Sequence, residues 1–170
     1  GVREHAMGAI CNGLTLYLNS PTFCATFLTF SNYMIPPIRM SALMNLPVMY
    51  MFSHDSYKVG EDGPTHQSVE QLSMLRSIPN VNVFRPCDIR ELICCYSIAL
   101  SSKTPSCFIL SKQTLQNQYA DFKNIVKGGY ILSGNKGIVL LLASGTEVDL
   151  AMLVKKILQT QNIEAVVASF

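Results

Sequence analysis

Charge is scarce in this 170-residue chain: Asp, Glu, Lys and Arg make up 14% of it, against 49% hydrophobic residues. That balance excludes a disordered, self-repelling polymer and predicts a well-buried core. It also leaves few charges for the outside, so the surface is either polar without charge or is covered in part by other protein, and the second reading is preferred. The net charge is +2 with Lys and Arg dispersed, and the missing basic stripe excludes nucleic acid or an anionic membrane as an implied partner. The six cysteines (Cys11, Cys24, Cys87, Cys94, Cys95, Cys107) contain no CxxC pair and read as reduced core thiols. No apolar run approaches the roughly 18 residues of a membrane span, and the first residues lack the regions of a secretion signal, so a cytosolic protein is expected. Both ends read as cut. Gly1 stands almost against a helix, and the chain stops just after the β-branched run from Ala165 to Ala168.

What the chain does have is periodicity. Glu4 to about Leu18 reads as a helix rich in small residues (Ala6, Gly8, Ala9, Gly13), a composition suited to close packing. A second helix is expected from about Tyr33 to Leu46, with Pro36 and Pro37 in its first turn. Val48 to Phe52 suits a buried parallel strand, followed by a long polar loop from His54 to Gln67. A helix from about Ser68 to Ser77, a strand Val81 to Phe84, a helix opened by Pro86 and Asp88 and running to about Ser101, and a strand Ser106 to Leu110 continue the alternation. This predicts an α/β fold with a parallel sheet flanked by helices. Gln113 to Gly129 reads as a linker. Gly137 to Ala143, Thr146 to about Thr160, and Ile163 to Ala168 read as strand, helix and strand of a second α/β unit. The expected division is 1–122 and 123–170, each incomplete.

Ligands of such sheets gather beyond the carboxyl ends of the strands, and His54, Asp55, Asp62, His66 and Ser111 all follow strands. The segment His54 to Gln67 holds two histidines and three carboxylates in fourteen residues, with Gly60 and Gly63 allowing sharp turns. Proton transfer suits this set, and so does a solvated loop that caps a helix. His54, Asp62 and His66 lack the spacing of a zinc motif, so a metal site is set aside. Glu4 in a first helical turn complements the macrodipole, and Phe23, Phe27, Phe30 and Tyr33 make an aromatic cluster of a kind that usually serves a core. On residue type alone, these stay structural readings.

Longer blocks change the weighting. Gly1-Val-Arg-Glu-His-Ala-Met-Gly-Ala-Ile10 with Asn12-Gly13 resembles the transketolase segment that bears the catalytic glutamate. Thr26-Phe-Leu-Thr-Phe-Ser-Asn-Tyr33 is similar to that family's aromatic wall, and Arg39-Met-Ser-Ala-Leu43 to the helix after it. Gly60-Glu-Asp-Gly-Pro-Thr-His-Gln67 resembles its signature loop, and the likeness runs on through Arg76-Ser-Ile-Pro-Asn80, Phe84-Arg-Pro86, Asp88, Lys127-Gly-Gly-Tyr130 and Ala143-Ser-Gly-Thr-Glu147. Essentially the whole chain is covered, in order.

The resemblance implies a thiamine diphosphate fold with this chain as its pyrimidine domain and the start of a C-terminal domain. It implies ketol transfer between sugar phosphates in the pentose phosphate pathway, in a homodimer that is cytoplasmic or, with the N-terminus missing, in a plastid or other organelle. A divalent metal, Mg or Ca, and the cofactor's diphosphate would sit on a separate N-terminal domain, so this piece alone is expected to be inactive. Glu4 would hydrogen-bond the pyrimidine ring, Phe27, Phe30 and Tyr33 would wall it, His66 would serve the donor's reacting end, and Asp62 would meet a sugar hydroxyl. His54 would lie farther along, near the substrate phosphate. Ser111-Lys112-Gln113 resembles the family's Ser-Arg-Gln, so Lys112 replaces a phosphate-gripping arginine and loses its bidentate fork. Tyr57-Lys58 and Cys24-Ala25 also depart from the family pattern. A dihydroxyacetone synthase and a non-catalytic assembly protein are the alternatives.

Overall fold

In the computed structural model, which describes residues 2–113, 119 and 122–170, small residues let the first two helices meet closely. Helix α1 (Glu4–Leu18) and helix α2 (Ile35–Met44) pack at Gly8, where a Cβ would come within 2.9 Å of Pro37 Cγ and 3.2 Å of Met34 Cε. Asn19 and Asn45 end the two helices in the left-handed conformation that asparagine tolerates. Pro36 and Pro37 open α2 in the first turn, where the missing N–H has no helical partner to lose.

Between and after these helices the chain lays down strands β1 (Thr22–Phe27), β2 (Val48–Ser53), β3 (Asn82–Phe84) and β4 (Ser106–Ile109). They form one all-parallel sheet in the order β1-β2-β4-β3. Alternate residues of β2 serve opposite faces. Val48, Tyr50 and Phe52 join Cys11, Leu28, Met34, Ile38, Leu75, Cys107 and Ile109 in the main core, under α1, α2 and the short helix α3 (Gln71–Arg76). Met51 faces the other way, toward Tyr96 of helix α4 (Ile89–Ser101), whose ring stacks on Phe108 at 4.8 Å.

One buried polar knot crosses the main core. Asn12 Nδ2 donates to the Pro37 carbonyl at 2.9 Å, and Asn12 Oδ1 accepts from Ser41 Oγ at 2.5 Å and Tyr50 Oη at 3.2 Å. The Ser41 and Tyr50 hydroxyls are themselves 2.6 Å apart, so α1, α2 and β2 share one saturated network.

By contact the chain divides into two compact units, Gly1–Phe84 with Tyr96–Lys112, and Arg85–Cys95 with Gln113–Phe170. The second contains α5 (Phe122–Ile125), β5 (Tyr130–Ser133), β6 (Val139–Ala143), α6 (Glu147–Thr160) and β7 (Ala165–Ser169). Its sheet runs β5-β7-β6, with β6 parallel and β5 antiparallel to the buried β7. The Glu91 carboxylate is buried there and accepts from Tyr130 Oη at 2.8 Å, Ser169 Oγ at 2.6 Å and the Cys87 amide at 2.6 Å. The segment from Arg85 to Cys95 thus belongs with the second unit by contact, although the sequence reading divides the chain at 122. Of the expected linker from Gln113 to Gly129, positions 114–118 and 120–121 lie outside the described residues, and Phe122–Ile125 forms α5 instead of irregular chain.

The α/β fold and the parallel sheet with its helices are as expected. Strands β1 and β5 have no counterpart in the sequence reading. Strand β1 buries only Cys24 and β5 only Tyr130, so neither shows the buried apolar run by which a central strand is recognised. No helix among the described residues is long and apolar enough to cross a membrane. All six cysteines are free, and five of them are buried.

Candidate active site

The register of the sheet decides what meets at its carboxyl edge. Phe27, the last residue of β1, pairs with Ser53, the last of β2, so the residue after Ser53 leaves the sheet beside Phe27. That residue is His54, held at φ +61°. Its ring stacks on Phe27 with centroids 3.7 Å apart, and its Nδ1 lies 3.0 Å from Ser53 Oγ.

A 3-10 turn over Leu28–Tyr33 follows β1 directly and extends the row of rings. Phe30 stacks on Phe27 at 6.2 Å and on Tyr33 at 6.3 Å. His66 closes the group from the polar loop, standing edge-on to Phe30 at 5.2 Å and to Phe27 at 6.0 Å. Its Nδ1 lies 2.8 Å from Thr65 Oγ1, and its amide donates to the Gly63 carbonyl at 3.0 Å. Five residues nominated from sequence (Phe27, Phe30, Tyr33, His54 and His66) therefore form one contiguous set. The rings of Phe27 and Phe30 are only half-buried and Tyr33 is 62% exposed, so the set is a surface platform and not a core. Phe23 is 71% exposed and contributes nothing to it.

Glu4 is half-buried in the first turn of α1, and α1 packs against the turn that carries Phe30 and Tyr33. Asp62 ends a short 3-10 turn, Gly60–Asp62, and its carbonyl accepts from Thr65 Oγ1 at 3.4 Å. Gly60 opens that turn at φ +84°, and Gly63 follows it at φ +70° and ψ −165°, a region open essentially to glycine alone. Lys58 is exposed.

Lys112 lies three residues beyond β4 on the same edge. Its Nζ donates to the Val59 carbonyl at 3.0 Å and lies 3.5 Å from Glu61 Oε1. Sequence reasoning missed these two partners, as it missed Ser53 and Thr65 beside the histidines. The lowered pKa of Glu61 comes from a hydrogen bond of its own backbone amide first, and from Lys112 second. Among the described residues no group of three or more His, Cys, Asp or Glu could hold a metal ion.

The profile "Transketolase, pyrimidine binding domain" matches residues 1–118. The chain belongs to the transketolase family. It is 47% identical to a transketolase of Halalkalibacterium halodurans over 99% of its length and 26% of that protein. It is 44% identical to a chloroplastic transketolase of Solanum tuberosum over 100% of its length and 24% of that protein. A Pichia stipitis transketolase solved in complex with sedoheptulose-7-phosphate superposes with a TM-score of 0.94 at 42% identity, covering 99% of this chain and 26% of the other. The chain thus spans about a quarter of the transketolases it matches.

Proposed function

We propose that this chain supplies the pyrimidine side of a transketolase active site, in a protein that moves a two-carbon ketol unit from a ketose phosphate to an aldose phosphate in the pentose phosphate pathway. The observation that carries the reading is the row of rings at the sheet's carboxyl edge, His54-Phe27-Phe30-Tyr33 with His66 edge-on, beside a helix that begins with Glu4. Half-exposed aromatic faces fit the flat face of an aminopyrimidine, and a carboxyl group in the first turn of a helix packed on the ring-bearing turn fits its ring nitrogen.

The chemistry that thiamine diphosphate supplies when bound is a nucleophilic carbon and an electron sink for breaking a carbon–carbon bond. The chain's own residues prepare for it. Glu4 holds a proton in a hydrogen bond to the pyrimidine nitrogen, and Phe27 and Phe30 keep water from diluting that bond. His66, with Nδ1 engaged by Thr65, offers Nε2 to a hydroxyl at the donor's reacting end. Asp62 orients a sugar hydroxyl, and His54 and Lys112 meet the far end of the sugar and its phosphate. The diphosphate and a divalent metal, Mg or Ca, belong to a separate N-terminal domain. The exposed apolar side chains of α1, Ile10 at 60%, Leu14 at 43% and Tyr17 at 86%, support a partner surface and with it a homodimer. The reading carries a cytosolic enzyme, with a plastid form as the variant.

The test is an assay of the full-length protein with thiamine diphosphate and Mg. The expected result is ketol transfer from a ketose phosphate to an aldose phosphate, lost when the cofactor is dialysed away. No transfer to any acceptor contradicts the proposal, and a preference for formaldehyde moves it to a dihydroxyacetone synthase.

A further inference from the structure

The polar loop between β2 and α3 is held from the end of β4 by one cation. Lys112 Nζ donates to the Val59 carbonyl at 3.0 Å, and Val59 is 2% exposed although both its neighbours are exposed. The buried valine fixes the carbonyl, and the carbonyl fixes the ammonium. Two Nζ protons remain, and Glu61 Oε1 lies 3.5 Å from the nitrogen that carries them. The side chains of Lys112 and Glu61 are 42% and 84% exposed, so the pair sits where a solute can reach it.

This arrangement bears on the substrate if, as proposed above, Lys112 meets the phosphate. A phosphate can share the ammonium with a neutral carbonyl at no charge cost. It cannot share it with a carboxylate without placing two anions around one cation. We propose that Glu61 is a specificity-determining residue: it neutralises Lys112 when no substrate is bound and sets a penalty against phosphorylated donors that unphosphorylated donors do not meet. The loop's geometry permits the exchange, because the Glu61 side chain is 84% exposed and can swing into solvent while the Val59 carbonyl keeps Lys112 in place.

An exposed pair of this kind is worth little, which sets the size of the effect at about 2- to 5-fold in affinity. In the full-length protein, KM is measured for xylulose-5-phosphate and for xylulose. Glu61→Gln is expected to lower KM for the phosphorylated donor by that factor at low salt, with kcat and the KM for xylulose unchanged. The gain shrinks as ionic strength rises, because exposed charges are screened. Glu61→Asp, which keeps the charge, retains the wild-type ratio of the two KM values. Glu61→Gln in a Lys112→Met background has no effect, because the cation for which both anions compete is gone. A Glu61→Gln ratio equal to the wild type, or a shift common to both donors, overturns the inference while leaving the ketol-transfer reading intact. A wild-type protein that transfers no ketol unit from either donor overturns both.

Discussion

A single missing methyl group sets the distance between α1 and α2. A Cβ at Gly8 would meet Pro37 Cγ at 2.9 Å and Pro37 Cβ at 3.1 Å, and a proline ring has no rotamer into which it can retreat. Gly8→Ala is therefore expected to destabilise the protein by about 1–3 kcal/mol, read as a lower urea midpoint at unchanged m-value. The sequence reading anticipated this, since small residues on a helix signal a close neighbour. The thiols make a second prediction at this scale. Burial pushes Cys107 up, burial with the neighbouring Cys11 pushes Cys24 up, and burial with the nearby Glu91 charge pushes Cys87 up and Cys95 to about 12. A raised thiol pKa leaves little thiolate at pH 8, and thiolate is the reactive form. Iodoacetamide at pH 8 should leave these four cysteines unmodified in the native protein and label them in urea, as mass spectrometry of their peptides will report. Labelling of native Cys107 at the rate of a free thiol would contradict the packing described for β4.

Among elements, α1 carries the most consequence, because it begins with Glu4 and is fixed by Asn12. Asn12 uses its amide nitrogen on the Pro37 carbonyl and its oxygen on Ser41 and Tyr50, all of them buried. Asn12→Ala removes three buried bonds and leaves a cavity, although Ser41 Oγ keeps the Pro37 carbonyl at 2.9 Å and Tyr50 Oη at 2.6 Å, and should cost about 2–4 kcal/mol, whereas Tyr50→Phe, which leaves the Asn12–Ser41–Pro37 bonds in place, should cost about 1 kcal/mol. Urea unfolding of the two variants checks the ordering, and equal losses would contradict it. Most of the elements were legible because their signals are local: prolines opening α2, the apolar run of β2, and Asp88 accepting the amides of Arg90 and Glu91 at the start of α4. Strands β1 and β5 were not, because each buries a single residue and neither carries an apolar run like Val139–Ala143 of β6, an edge strand that was legible. The contact of Phe27 with His54 was not legible either. It depends on β1 and β2 ending in register and on the left-handed backbone of His54, and neither is written in local composition.

At the scale of the whole molecule, the site residues come from distant parts of the sequence and are united by the sheet. The family blocks named the candidates without needing the fold, and the fold then joined the rings and histidines that composition alone had left as a core cluster and a solvated loop. What no local signal carried was the pairing of Lys112 with Val59 and Glu61, which spans half the first unit's sequence. The chain covers about a quarter of its relatives, and on the proposed reading the groups that hold the diphosphate lie elsewhere. Titration calorimetry of the 170-residue chain with thiamine diphosphate should accordingly detect no binding in the micromolar range, and a clear micromolar isotherm would contradict that division of labour. The most direct test of the central claim is Glu4→Gln in the full-length protein. The amide keeps the shape and loses the carboxyl proton chemistry, so kcat for ketol transfer is predicted to fall by a factor on the order of 10²–10⁴ with the thermal midpoint unchanged. A variant that keeps kcat within about twofold of the wild type, a difference of well under 1 kcal/mol in the barrier, would show that Glu4 is only a helix-terminal carboxylate.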